Sequence, residues 1–207
     1  MEKLDLKKQL APLYNQPAGR ISIVEAPAAQ FLMIDGEGNP NTAQTFAKAV
    51  EALFGLSYNL KFMVKKGPAA ADYSVMPLEG LWWTDDMLRF SMDDKDSWKW
   101  TLMIRQPDFI TADMVREARA QLDKKKGAEL PALGLIRFES MAEGTCAQIL
   151  HIGPYSAEPP TIQKLHAFIR ENGYELHGKH REIYLSDARR AAPEKMKTII
   201  RQPIRKA

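Results

Sequence analysis

Glu182 and Tyr184 stand two residues apart in the run HREIYLS at 180–186, whose alternation reads as a strand. Period two puts Glu182, Tyr184 and Ser186 on one face and Arg181, Ile183 and Leu185 on the other. Ile183 and Leu185 are natural core residues, so Glu182 and Tyr184 are expected to face away from any covering helix. A carboxylate beside aromatics can serve as the counter-charge for a cationic ligand. It can also act as a general base if desolvation lifts its pKa toward neutrality. The alternative is a glutamate paired with Arg or Lys at the sheet surface. Glu79 poses the same choice in LEGLWW at 78–83, where it groups with Leu81 and Trp83 against Leu78, Gly80 and Trp82.

Trp82, Trp83, Trp98 and Trp100 are all the tryptophans of the chain and fall within 19 positions. They form either core or the flat walls of an aromatic-ligand pocket, with Trp83 and Trp100 placed in the pocket ahead of Trp82. Tyr155, in the loop GPYS at 153–156, either projects its phenol as a hydrogen-bond donor or plugs the loop. The loop joins a strand to a helix N-terminus, yet no phosphate-binding or nucleophile-elbow pattern surrounds it, so no cofactor is expected. The histidines 151, 166, 177 and 180 show no HExxH or close ligand triad, so no metal is expected. Cys146 lies in a strand and is read as a buried, inert thiol.

The elements that position these residues occur twice. TLMIRQP at 101–107 returns as TIIRQP at 198–203, and IVEAPAAQFLMIDG at 23–36 resembles IRFESMAEGTCAQILHIG at 136–153. In the first copy, residues 20–25 and 30–35 read as a hairpin around Ala26-Pro27-Ala28. A helix over 43–57, a strand over 59–65, and strands over 75–83 and 98–105 flanking the acidic turn 93–96 follow. In the second, strands fall near 133–139 and 144–152, a helix over 159–172, and strands near 180–185 and 196–202. Residues 1–18 read as a polar lead-in. The chain is thus expected to be one α+β domain of two pseudo-repeats, about 20–107 and 133–204, joined by an inserted helix at about 111–126. The pseudo-two-fold, antiparallel sheet would carry its helices on one face and a ligand cleft on the other.

Composition narrows the classes further. The 207 residues carry 29 Lys+Arg and 26 Asp+Glu, a net charge of +3, with the excess in short surface clusters such as Lys124-Lys125-Lys126. That is too mild for a nucleic-acid footprint, so no direct nucleic-acid binding is expected. The charged N-terminus does not read as a signal peptide, and no run reaches the roughly 18 apolar residues of a membrane span. A cytoplasmic protein without membrane contact is expected, its oligomeric state open.

The strings HIGPYSAE at 151–158, GKHREIYLSD at 178–187, KTIIRQP at 197–203, PLEGLW at 77–82 and WKWTLMI at 98–104 resemble the GyrI-like small-molecule-binding family. The resemblance runs from about residue 20 onward and is most specific around Glu182; Arg181 departs from the histidine expected before that glutamate. It implies a duplicated module whose halves enclose a cleft, as in effector-binding domains of multidrug-sensing regulators. The glutamate matched by Glu182 would then face the cleft and meet a small planar aromatic or cationic ligand. The lead-in is too short for a helix-turn-helix domain, so a stand-alone member is expected. A stand-alone subfamily hydrolyses cyclopropane-bearing DNA alkylators within an aromatic cage, without metal. On that reading Glu182 and Tyr155 are catalytic, while Trp83, Trp100, Tyr184 and Glu79 bind ligand. The alternatives are a sequestering protein without chemistry and a gyrase-interacting protein.

Overall fold

Two single-turn helices, α1 (Leu6–Gln9) and α2 (Ala11–Tyr14), precede strands β1 (Ile21–Ala26) and β2 (Ala29–Glu37). Helix α3 (Gln44–Lys66) leads to β3 (Leu78–Trp83) and β4 (Lys99–Arg105). Helix α4 (Ala112–Lys126) then connects to β5 (Arg137–Met141) and β6 (Gly144–Ile152). Helix α5 (Pro159–Glu171) and strands β7 (Tyr174–Leu176), β8 (His180–Tyr184) and β9 (Lys197–Lys206) complete the chain. This computed structural model describes residues 3–68, 70–85, 94–187 and 189–207. Asp93, the first residue of the expected acidic turn, lies outside the described residues. None of the described helices is long and apolar enough to cross a membrane.

The fold is α+β, and every strand pair among the described residues is antiparallel. The order is β1-β6-β9-β8-β3-β4-β2-β5, with β7 on the end of β9. Interchanging the strands of the two copies leaves that order unchanged when read from the other end. The expected hairpin of β1 and β2 does not form: β1 pairs with β6, while β2 pairs with β4 and β5. A two-residue hairpin loop needs positive φ, which Asn-Gly supplies and Pro27-Ala28 cannot. The link instead joins strands near opposite ends of the strand order, so the sheet must curl to bring those ends within the reach of two residues.

Residues 59–65 are not a strand but the last turns of α3. The buried positions Leu53, Leu56, Leu60 and Val64 keep the three-to-four spacing, and nothing breaks the helix before Gly67-Pro68. The Gly67 N–H closes the end by reaching the Met63 and Val64 carbonyls. Helix α4 begins at Thr111, whose Oγ1 accepts from the Met114 N–H at 3.3 Å, and it ends in three lysines that suit the helix dipole. It packs on α3, where Asn59 Nδ2 donates to the Ala118 carbonyl at 2.7 Å.

Pairing sets which side chains share a face. Glu182 lies opposite Gly80, which lies opposite Leu102, and Trp82 lies between Trp100 and His180. His180, Glu182 and Tyr184 therefore share a face with Trp82, Trp100 and Leu102. That is the face the helices cover. Phe46 of α3 stacks on Trp82 at 6.0 Å and meets Trp100 edge-on at 5.3 Å, while Leu165 and Ile169 of α5 pack on Ala147, Ile149 and Ile200. The expectation that Glu182 faces away from the helices, with the cleft on the bare face, is thus corrected. Ile183 is fully buried, but on a reverse face that is itself core, alongside Phe31, Met103 and Ile199. The lead-in helps to cover that reverse face. Gln148 Nε2 donates to the Pro12 carbonyl at 2.9 Å, and Arg201 Nη2 donates to the Leu13 carbonyl at 2.6 Å. An apolar residue beside a glutamate cannot mark the helix side when both faces are buried.

Candidate functional site

Strand β8 delivers Glu182 and Tyr184 at period two onto the floor of a cavity between α3, the 155–158 turn and the sheet, with His180 buried beside Glu182. Tyr184 Oη donates to Glu182 Oε2 at 2.7 Å, and His180 Nε2 lies 3.2 Å from Oε1. Trp82 on the neighbouring strand donates its Nε1–H to Tyr184 Oη at 3.0 Å. Gly80 makes that crossing possible, because a Cβ there would stand 2.7 Å from Trp82 Nε1 and 3.1 Å from Tyr184 Oη.

A second carboxyl completes the floor. After β6, Gly153 at φ +139 turns the chain through Pro154 and a 3₁₀ turn, Tyr155–Ala157. Glu158 then begins α5 just before Pro159 and Pro160, but its side chain makes no cap bond. It is 1% exposed, and its Oε1 has no hydrogen-bond donor. Burial, then the neighbouring Glu182 charge and a hydrogen bond to Glu182, push Glu158 up to about 10. Burial also works to raise Glu182, but hydrogen bonds from His180, Tyr184 and Glu158 outweigh it and hold the group below the usual carboxylate range. Two carboxyls in contact thus share one proton at neutral pH, and Glu158 carries it.

The cavity encloses about 750 Å³, a volume suited to a drug-sized molecule. Phe46, Val50 and Phe54 of α3, with Trp82 and Trp98, form its apolar walls, and Tyr155 and Tyr184 stand over the carboxyls. The two tyrosine rings meet edge-on at 5.6 Å. Burial, then the charges of Glu182 and Glu158, push the Tyr155 phenol up to about 12, and burial raises Tyr184 as well. Both are therefore neutral donors at physiological pH.

The structure brings Glu182, Tyr184 and Tyr155 together and leaves three expected site residues elsewhere. Glu79 points to the reverse face, fully buried, where Tyr14 Oη donates to its Oε1 at 2.8 Å and Arg181 Nε to its Oε2 at 2.8 Å. Arg181 also pairs with Glu143, and the cluster reaches Arg201. Glu79 thus takes the ion-pair alternative, because strand parity puts Gly80 rather than Glu79 beside Glu182. Trp83 shares the reverse face, with the Lys179 ammonium 3.2 Å from its ring centroid. Trp100 is on the cavity side but 1% exposed, beneath the floor against Gly36 and Phe46. Trp82, ranked behind both, lines the cavity together with Trp98.

Sequence reasoning missed Glu158 and His180. His180 was within reach, two residues from Glu182 on the same strand face. Glu158 carried only a weak signal, an acid before a proline-led helix, where a cap is the usual reading. Among the described residues no group of three His, Cys, Asp or Glu side chains is placed to hold a metal. Burial pushes the Cys146 thiol up to about 12, so it is not a nucleophile at neutral pH.

The model of the GyrI-like small molecule binding domain matches residues 20–205. The chain belongs to the GyrI-like family. GyrI-like domains bind small molecules, in keeping with a cavity of this size. An uncharacterized conserved protein from Listeria innocua is 37% identical, with a TM-score of 0.90 over 98% of this chain and 100% of its own. A hydrolase from the same organism is 35% identical, with a TM-score of 0.87 over 99% and 100%. The EcmrR C-terminal domain shares the fold at 14% identity and a TM-score of 0.57, over 91% of this chain and 98% of its own. Comparison with curated proteins gives no match.

Proposed function

We propose that this GyrI-like protein binds planar aromatic compounds in the cavity and adds water to electrophilic ones, cyclopropanoid alkylators among them. One observation carries the reading. Two contacting buried carboxyls, Glu158 pushed up by burial and Glu182 held down by its hydrogen-bond donors, lie at the foot of an aromatic-walled cavity. Trp82, Trp98 and Phe46 hold the flat scaffold, and Tyr155 and Tyr184 hold a water against Glu182. The water oxygen bonds to the strained ring carbon while Glu182 takes its proton. The ring C–C bond breaks, and its electron pair moves through conjugation to a carbonyl oxygen, which takes a proton from solvent. The net change is addition of one water. Glu158 keeps Glu182 ionised before the step, and Glu182 afterwards returns the proton it took to solvent, which balances the one gained by the carbonyl oxygen. Likeness to a Listeria hydrolase at 35% identity supports an enzyme. The palindromic strand order supports reading residues 20–107 and 133–204 as two copies of one unit.

The test is Glu182→Gln. It should bind a cyclopropanoid substrate within about threefold of the parent but lose product formation by about 100-fold or more, the scale of a general base. Undiminished turnover would remove Glu182 from the chemistry. A second reading, sequestration without reaction, is favoured by the several donors that already engage Glu182 and weaken it as a base. It requires that bound compound be recovered unaltered after long incubation.

A further inference from the structure

Lys95 is a charged group of the cavity wall, next to Glu158, that the proposed chemistry leaves unused. It starts the 3₁₀ turn Lys95–Ser97, between β3 and β4, and lines the cavity together with Trp98, Tyr155 and Glu158. Its ammonium sits 5.4 Å from the Trp98 ring centroid, a cation–π contact that holds it in the wall. No carboxylate among the described residues lies within ion-pair distance of it. Its charge nevertheless reaches the interior, since it acts on the Glu158 carboxyl.

The charge balance of the lining is equally informative. Lys7, Lys95 and Arg189 oppose Glu51, Glu182 and Asp187, with Glu158 neutral, so the cavity carries no net charge. The Asp187–Arg189 pair is closed on itself at 2.9 Å. Glu182 already accepts from His180 and Tyr184. The carboxylate on the floor is therefore satisfied, while the ammonium on the wall has spare donors. A lipophilic cation would find the Glu182 oxygens already engaged by donors and Lys95 repelling it. A ligand oxygen would find three N–H donors.

We infer that Lys95 is the receptor for a hydrogen-bond-accepting oxygen, carbonyl or anionic, on the aromatic ligand, and thereby selects neutral or anionic aromatics over cationic ones. The inference rests on the reading of the cavity as an aromatic-ligand site. In the water-addition step the same ammonium faces the oxygen that gains the electron pair, where a fixed positive charge lowers the barrier.

The experiment measures tryptophan-fluorescence binding of three naphthalenes of equal size: 2-naphthoate, methyl 2-naphthyl ketone and 2-naphthylmethylammonium. The parent should bind the naphthoate and the ketone more tightly than the ammonium. Lys95→Met should weaken the naphthoate by about tenfold, the scale of one hydrogen bond to a charged group, and leave the ammonium within about twofold. Lys95→Arg should restore the preference. Tightest binding of the ammonium by the parent would overturn the inference. So would Lys95→Met leaving all three unchanged, or weakening all three alike, which would make Lys95 only a packing residue. If no naphthalene binds the parent at all, the aromatic-site reading itself falls. Binding of all three without preference leaves that reading standing and removes this inference alone.

Discussion

Gly80→Ala tests how the floor of the cavity is built. The added Cβ would lie 2.7 Å from Trp82 Nε1 and 3.1 Å from Tyr184 Oη, well inside van der Waals contact. The Nε1–H···Oη bond, 3.0 Å long, crosses directly over Gly80, so the indole must retreat and the bond must open. Its loss costs about 1 kcal/mol. Forcing a methyl group into a packed core adds about 1–3 kcal/mol. A total of about 3 kcal/mol lowers Tm by about 6–12 °C for a chain of this size. Tyr184 also loses the donor that aligns it on Glu182, so affinity for an aromatic probe should fall together with stability. Gly134→Ala is the control, because its new methyl group meets open space. The assay is a pair of thermal melts with probe titrations on both variants. Equal Tm values for the two would refute the argument that Gly80 exists to let Trp82 cross to Tyr184.

Two further outcomes follow from the buried charges. Arg181→Met strands Glu79 without its cation and leaves Glu143 only its 3.8 Å contact with Arg201, and urea unfolding should show a loss of about 3–5 kcal/mol, partly recovered by adding Glu79→Gln. Glu158→Gln keeps the neutral shape of the protonated acid and should raise Tm at pH 8 more than at pH 4.5. The Glu158 pKa is raised in the folded state, so its share of stability is complete below its ordinary value of 4.5 and drains away as pH climbs toward about 10. The amide has no proton to lose, and a Tm difference that stays flat across that window would show Glu158 to be ionised in the folded protein.

Much of the architecture was legible because it is local. Alternation in HREIYLS and LEGLWW marked the strands, and the helix expected at about 111–126 is α4, Ala112–Lys126. The errors arose where pairing partners decide. Pro27-Ala28 looks like a turn between neighbours, yet β1 finds its partner in β6, more than a hundred residues onward. Parity grouped Glu79 with Trp83 correctly, but parity alone cannot say which face the helices take. The buried cluster of Tyr14, Glu79, Arg181 and Glu143 made the reverse face a second core. Of the site, Glu182, Tyr184 and Tyr155 were visible as chemistry-bearing residues. Glu158 became visible only when α5 laid it over Glu182, because its role depends on a contact across 24 residues of sequence and not on its neighbours.

Carboxyl-carbon NMR across pH, on the ligand-free chain with ¹³C-labelled glutamate and with Glu158→Gln for assignment, reads the shared proton directly. The expected result is that Glu158 remains protonated at pH 7 and titrates near 10, while Glu182 is ionised throughout. Titration of both carboxyls below pH 5 would contradict the account, since neither would then hold a proton at neutral pH.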